Sequence, residues 1–208
     1  MAYRGAFHPV ADDLPDARDV GTLVLAGFTG NTHWQHFKNS AEATDGKSDP
    51  LDRWSSRVIG EIARALGATA LFPFTGPPWL PFLAWARKCE PLHPSPLGML
   101  IHPDFGLWHA FRGALAFRER FALPPPDMRP SPCETCVEKP CLVACPVAAF
   151  TPGRYNVVAC VDHISSPRGA DCTAEGCRAR RACPVGTADR YVPEEAAFHM
   201  RAFLAAQK

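Results

Sequence analysis

Eight of the nine cysteines in this 208-residue chain fall between Cys133 and Cys183. They read Cys133-x2-Cys136-x4-Cys141-x3-Cys145-Pro146, then Cys160, then Cys172-x4-Cys177-x5-Cys183-Pro184. Eight soft thiolates make two sets of four, enough to close two tetrahedral metal or cluster sites with none left over. The remainder of the chain is read around that stretch.

Both runs end in Cys-Pro, and proline turns the chain away without adding an N–H donor. A short cysteine run closed by Cys-Pro resembles the bacterial ferredoxin pattern, in which the last cysteine crosses to the other cluster. That resemblance implies Cys133, Cys136, Cys141 and Cys183 around one [4Fe-4S] cluster, and Cys145, Cys160, Cys172 and Cys177 around a second. The spacing departs from the strict pattern at residues 137–140, four where two are usual, and at the outlying Cys160. It is similar in this to the two-cluster modules of epoxyqueuosine reductases and reductive dehalogenases, where an outlying cysteine also completes the second cluster. Two structural zinc sites would consume the same eight thiolates, although only Cys133/Cys136 forms a C-x2-C knuckle. Disulfides would suit a short secreted domain, and no signal peptide opens this sequence.

A hydrophobic content of 47% with 21% charged residues reads as globular. The net charge of +1 gives no field to gather nucleic acid or an anionic membrane. Apolar runs stop well short of the ~18 residues that suggest a membrane span. Reduced thiols without a targeting segment predict a cytoplasmic protein.

Residues 1–20 read as an irregular arm or short helix, and residues 22–28 as a buried strand closed by Thr29-Gly30. Asp49, Pro50 and Gly67 bound a helix whose inner stripe is Leu51, Trp54, Val58, Ile62 and Leu66. Residues 70–74 read as a second strand, and residues 79–86 are apolar enough for a core helix. Cys89 reads as a small buried hydrophobe. Two further strands, 97–101 and 107–117, flank His102-Pro103-Asp104-Phe105-Gly106 and predict a hairpin. Arg112 sits deep in the second of them, so it is either paired within the protein or aimed at a ligand. Five prolines in residues 121–132 predict a stiff boundary between domains 1–121 and 122–208. A last helix starts at Pro193, with Ala196, Met200, Phe203 and Leu204 on its inner stripe.

The segment Ile101-His102-Pro103-x-Phe105-Gly106-x-Trp108-x-Ala110-x-Arg112-Gly113 resembles the cobalamin-processing CblC family. The strand at residues 23–25 and the helix start Asp49-Pro50-Leu51-Asp52 fall in the order that family shows. The resemblance implies an α+β chain: an N-terminal nitroreductase-like α/β sandwich followed by a small ferredoxin-like 2[4Fe-4S] domain. It implies cobalamin as a cofactor and Arg112, Trp108 and His102 as cofactor-binding residues.

Together these readings predict an iron–sulfur electron-transfer protein, whose partners are an electron donor or acceptor protein and a corrinoid or small-molecule substrate. The alternatives are a reductase like epoxyqueuosine reductase, with His102, Asp104 or His109 as proton donor, and a zinc-stabilised interaction module. Arg178, Arg180 and Arg181 either tune the second site or form a solvated basic loop. His163 is a further candidate iron ligand that a full set of eight cysteines makes unnecessary.

Overall fold

The computed structural model describes residues 1–14, 19–151 and 153–207. The chain is mixed α and β with small antiparallel sheets. It falls into two compact units, the first from Met1–Pro91 and His109–Met128, the second from Leu92–Trp108 and the chain from Arg129 onward. The first holds β1 (Ala2–Phe7), β2 (Thr22–Thr29), α1 (Trp34–Lys38), α2 (Ala41–Thr44), α3 (Pro50–Leu66), β3 (Thr69–Leu71) and α4 (Phe82–Cys89). Two short strands of the second unit follow, β4 (His93–Pro94) and β5 (Leu100–Ile101), before β6 (His109–Phe117) returns to the first.

In the first unit β1, β2, β6 and β3 lie in that order in one antiparallel sheet. Ile59 and Ala63 of α3 pack on Ala26 and Leu115 of the sheet. Ile59, Leu23 and Leu25 are wholly enclosed, each contributing about 1.5–3 kcal/mol by leaving water. Trp85 of α4 is equally enclosed, and its indole N–H donates to the Asp13 carbonyl at 3.2 Å. Arg4 on β1 is also buried. Its guanidinium donates to both Glu90 oxygens at 2.6 and 2.5 Å and to the Phe28 carbonyl at 2.8 Å, and lies over the Phe111 ring. A carboxylate and a carbonyl on a buried cation are what make a charged residue tolerable inside a strand.

Several expectations change here. Residues 2–7 form a strand where an arm or helix was expected, because the Arg4 charge and a register shift between Tyr3 and Ala6 break the apolar alternation. The inner face of α3 carries Leu51, Trp54, Ser55, Ile59 and Ala63, whereas Leu66 is 57% exposed. Small Ser55 and Ala63 let the helix approach the sheet closely, which turns the stripe away from Leu66. Asp49 makes no side-chain cap. The strand at residues 70–74 shrinks to β3, and the apolar run at 79–86 divides, with Trp85 enclosed but Trp79 and Leu83 exposed.

The expected hairpin does not form. β5 pairs with β4 and β6 pairs with β2 and β3, while His102 bridges Gly106 between them. Residues 92–108 therefore belong with the cysteine-rich chain, which moves the division away from a single cut at 121/122. The cause is close backbone packing: a Cβ on Gly106 would stand 2.1 Å from the Val185 carbonyl oxygen, and one on Gly186 2.3 Å from that of Phe105. Both glycines have positive φ, +57 and +68, so only a residue without a side chain fits each place.

The second unit continues with α5 (Pro132–Thr135), α6 (Pro140–Val143), β7 (Phe150–Thr151), β8 (Arg154–Tyr155), α7 (Val157–Ile164), α8 (Ala170–Glu175), α9 (Arg178–Arg181) and α10 (Pro193–Ala205). Prolines at the first positions of α5, α6 and α10 suit helix starts, where no N–H partner is needed. Leu97, Ile101, Leu107, Ala149, Phe150 and Ala179 make its core, with Cys141 and Cys183 among them. Several of its helices are single turns, too short to hold shape by their own hydrogen bonds.

Candidate metal centre in the cysteine-rich unit

Two neighbourhoods of thiols emerge from the electrostatics. Cys133 is influenced by Cys183 and Cys136, Cys141 by Cys183, Cys133 and Cys136, and Cys183 by Cys136. Cys177 is influenced by Cys172 and Cys160, and the Tyr155 hydroxyl by Cys160, Cys177 and Cys145. The first neighbourhood is assembled by α5, α6 and the end of α9, which bring Cys133, Cys136, Cys141 and Cys183 together from opposite ends of the segment. The second draws on the α6–β7 turn, α7, α8 and the start of α9. All eight cysteines, and Cys89, are free thiols.

Cys145, Cys160, Cys172 and Cys177 line one cavity of about 440 Å³. Its remaining wall is largely apolar, from Leu97, Met99, Phe150, Ile164, Met200 and Phe203. Met200 and Phe203 come from α10, whose expected inner stripe thus closes over this cavity. That helix also buries Glu195 of its first turn.

Burial is the main cause that raises the thiols of Cys133, Cys141, Cys172, Cys177 and Cys183. Backbone N–H donors oppose it: that of Arg178 at Cys172, those of Arg180 and Ala179 at Cys177, and that of Val185 at Cys183. The Ala149 N–H donates to the Cys145 sulfur at 3.3 Å. Converging N–H dipoles stabilise charge on sulfur, as they do around cluster ligands. Among the described residues no three His, Cys, Asp or Glu side chains converge tightly enough for a single metal ion. Four thiolates on one zinc would stand about 3.8 Å apart; a cubane does not ask for this, since each thiolate binds a different iron. Thiol donors in fours, an apolar cavity and N–H donors on sulfur fit such a group.

The arginines of α9 divide by partner. Arg178 forms a two-point pair with Asp171 at 2.7 and 2.8 Å, and Arg181 joins Asp171 at 2.8 Å and Glu175 at 3.1 Å. Arg180 instead lies over the rings of Trp108 and Tyr191, 4.3 and 4.5 Å from their centroids, and donates to the Leu107 carbonyl at 2.6 Å. Burial pushes the nearby Glu195 carboxyl up to about 8, against the pull of Arg180. Neither role was visible in a run of three basic residues.

The three residues expected around a corrinoid part company. Trp108 and His102 belong to the second unit and Arg112 to the first. Trp108 packs edge-on against Tyr191 beneath Arg180, 2% exposed. His102 Nδ1 accepts the N–H groups of Asp104 and Phe105 at 3.0 and 3.3 Å, which fixes the turn. Asp104 forms a two-point pair with Arg129 at 2.8 and 2.7 Å. Arg112 occupies a β-bulge: Ala26 pairs with Gly113 and Gly27 with Phe111, leaving it outside the ladder. Strict alternation therefore fails there, and the guanidinium reaches α3, pairing with Asp52 and donating to the Ser55 hydroxyl at 3.1 Å. His109 lies on β6, edge-on to Phe111. Cys89 is half-buried, and its thiol is pushed up to about 12 by burial and Glu90, which makes it a poor nucleophile at neutral pH.

No protein-family model, curated protein or solved structure matches the chain. No described helix is long and apolar enough to cross a membrane.

Proposed function

We propose that this chain is an iron–sulfur electron-transfer protein that holds two [4Fe-4S] clusters, one on Cys133, Cys136, Cys141 and Cys183 and one on Cys145, Cys160, Cys172 and Cys177. The observation that carries the reading is the cavity whose four thiols are Cys145, Cys160, Cys172 and Cys177 and whose other walls are apolar. Bound there, such groups would supply one-electron reduction and oxidation with little movement of the protein. The work of this chain is then to hold thiolates, exclude water and direct N–H dipoles at sulfur. The N–H donors on Cys172, Cys177 and Cys183 stabilise the added charge, and Leu97, Phe150 and Phe203 keep bulk water away.

The electron donor or acceptor would be a separate redox protein, and the proposed terminal acceptor is a corrinoid or small molecule at the first unit, on the resemblance of residues 101–113 to the CblC family. That part of the proposal stands on sequence alone, since Arg112 is engaged by Asp52 and Ser55. Protein purified without oxygen is expected to show a broad absorbance near roughly 400 nm from thiolate-to-iron charge transfer. A colourless protein carrying two zinc ions would favour the zinc-stabilised module instead. Addition of hydroxocobalamin should shift the corrinoid spectrum if the first unit binds it.

A further inference from the structure

Two side chains that line the cavity of the second cysteine set are not among its proposed ligands, and each carries a hydrogen-bond donor. Tyr155, at the end of β8, stacks on Phe150 with ring centroids 4.6 Å apart and planes 6° from parallel. It lines the same cavity as Cys160. His163, one turn after Cys160 on α7, lines the same cavity. Its Nε2 is buried and has no hydrogen-bond partner among the described residues. A buried ring nitrogen without a partner is costly, so its place on this wall calls for an acceptor inside the cavity. With eight thiolates already in place it is not needed as a ligand, and with its proton on Nε2 it is a donor. At the first set the Ser131 hydroxyl caps α5, accepting the Cys133 backbone N–H at 3.3 Å.

Resting on the function proposed above, we infer that Tyr155 and His163 tune the second site: Tyr155 donates to the Cys160 sulfur, and His163 Nε2–H donates to a sulfur held within the cavity. One electron taken from an external reductant would add a unit of negative charge to a cluster held there, with no proton moved. Each donor facing its sulfurs favours that state. The second site is therefore the one with the higher reduction potential, and an electron entering the protein comes to rest there.

The test is a mediated redox titration of the full chain with dithionite, followed by EPR, comparing the unaltered protein with Tyr155→Phe, His163→Leu and His163→Gln. Tyr155→Phe and His163→Leu should each lower the higher of two midpoint potentials. The expected change is about tenfold in the reduction equilibrium, ~59 mV for one electron. His163→Gln, which keeps an N–H donor, should restore most of the loss. Should a variant fail to hold iron, pulsed EPR of the unaltered reduced protein labelled with ¹⁵N-histidine should show a weak imidazole coupling. Two clusters whose potentials stay fixed in both variants, a shift confined to the lower potential, or no imidazole coupling would overturn this inference alone. A chain that binds no iron would overturn the function as well.

Discussion

In the first unit the enclosed positions are held by Leu23, Leu25, Phe28, Ile59 and Trp85, large side chains that bury themselves against a four-stranded sheet. In the second, Cys141, Cys172 and Cys183 stand at comparably buried positions, beside single-turn helices and two-residue strands. A cysteine brings far less apolar surface than a leucine or tryptophan, and several of these thiols are turned toward one another. One half of the molecule is thus built on large apolar side chains, and the other sets cysteines into its apolar core. Where a chain cannot bury enough apolar surface, a bound group supplies folding free energy, as in small metal-dependent domains.

The hardest way to break this contrast is to strip the proposed clusters. Chelation under reducing conditions should unfold the second unit and leave the first intact. Hydrogen exchange is then expected to lose protection along α7, α8 and α10 by several kcal/mol, with β2 and β6 unchanged. A cooperative loss across both units would mean that they are not separable in this sense. Next in size, Cys141→Ala and Cys177→Ala remove a ligand from different sets, and each should leave roughly half the iron of the unaltered protein. Iron analysis with EPR checks this; a complete loss in either variant would mean that the two sets do not form independently.

Two variants sharpen the contrast from the side of charge. Arg4→Ala leaves the Glu90 carboxylate and the Phe28 carbonyl without that cation, inside the first unit. It should cost about 3 kcal/mol or more, read by denaturant unfolding of strand signals. In the second unit, Glu195 is buried and held up to about 8 from an ordinary 4.5. Its folded form keeps a proton that the unfolded form gives up, so stability is greatest below pH 4.5 and falls as pH rises toward 8. Glu195→Gln should flatten that slope by an amount on the order of 1 kcal/mol, measured by unfolding of the loaded protein across this range.

The smallest effect is on the surface of the first unit. The Arg57 guanidinium bonded to Glu42 at 2.6 Å lowers that carboxyl to about 2, so its stabilisation is full above pH 4.5 and lost as pH falls toward 2. The pair is partly open to solvent, and Arg57→Ala should cost less than about 1 kcal/mol at neutral pH. Acid unfolding curves of the variant and the unaltered chain should converge near pH 2.

Local pattern made much of this molecule legible. β2, α3 with its Gly67 stop, and α10 from Pro193 follow from periodicity and end signals, and the bunching of eight cysteines is plain on inspection. What could not be read is what depends on partners distant in sequence. Arg4 is a strand residue only because Glu90 and Phe28 meet it. Residues 92–108 join the cysteine-rich unit because Gly106 fits against Val185, a contact that no local rule encodes. Arg112 faces α3 because one residue of β6 escapes the ladder, which shifts every side chain beyond it. Tyr155 gave no signal at all, since a tyrosine in a short polar segment says nothing of the cavity it lines.

The central claim is that the eight cysteines hold two cubanes. Iron and acid-labile sulfide, counted per chain in protein prepared without oxygen and joined to a Mössbauer spectrum, test it most directly. The account predicts about eight of each and quadrupole doublets of delocalised mixed-valence pairs alone. Zinc in place of iron, or iron without sulfide, would contradict it.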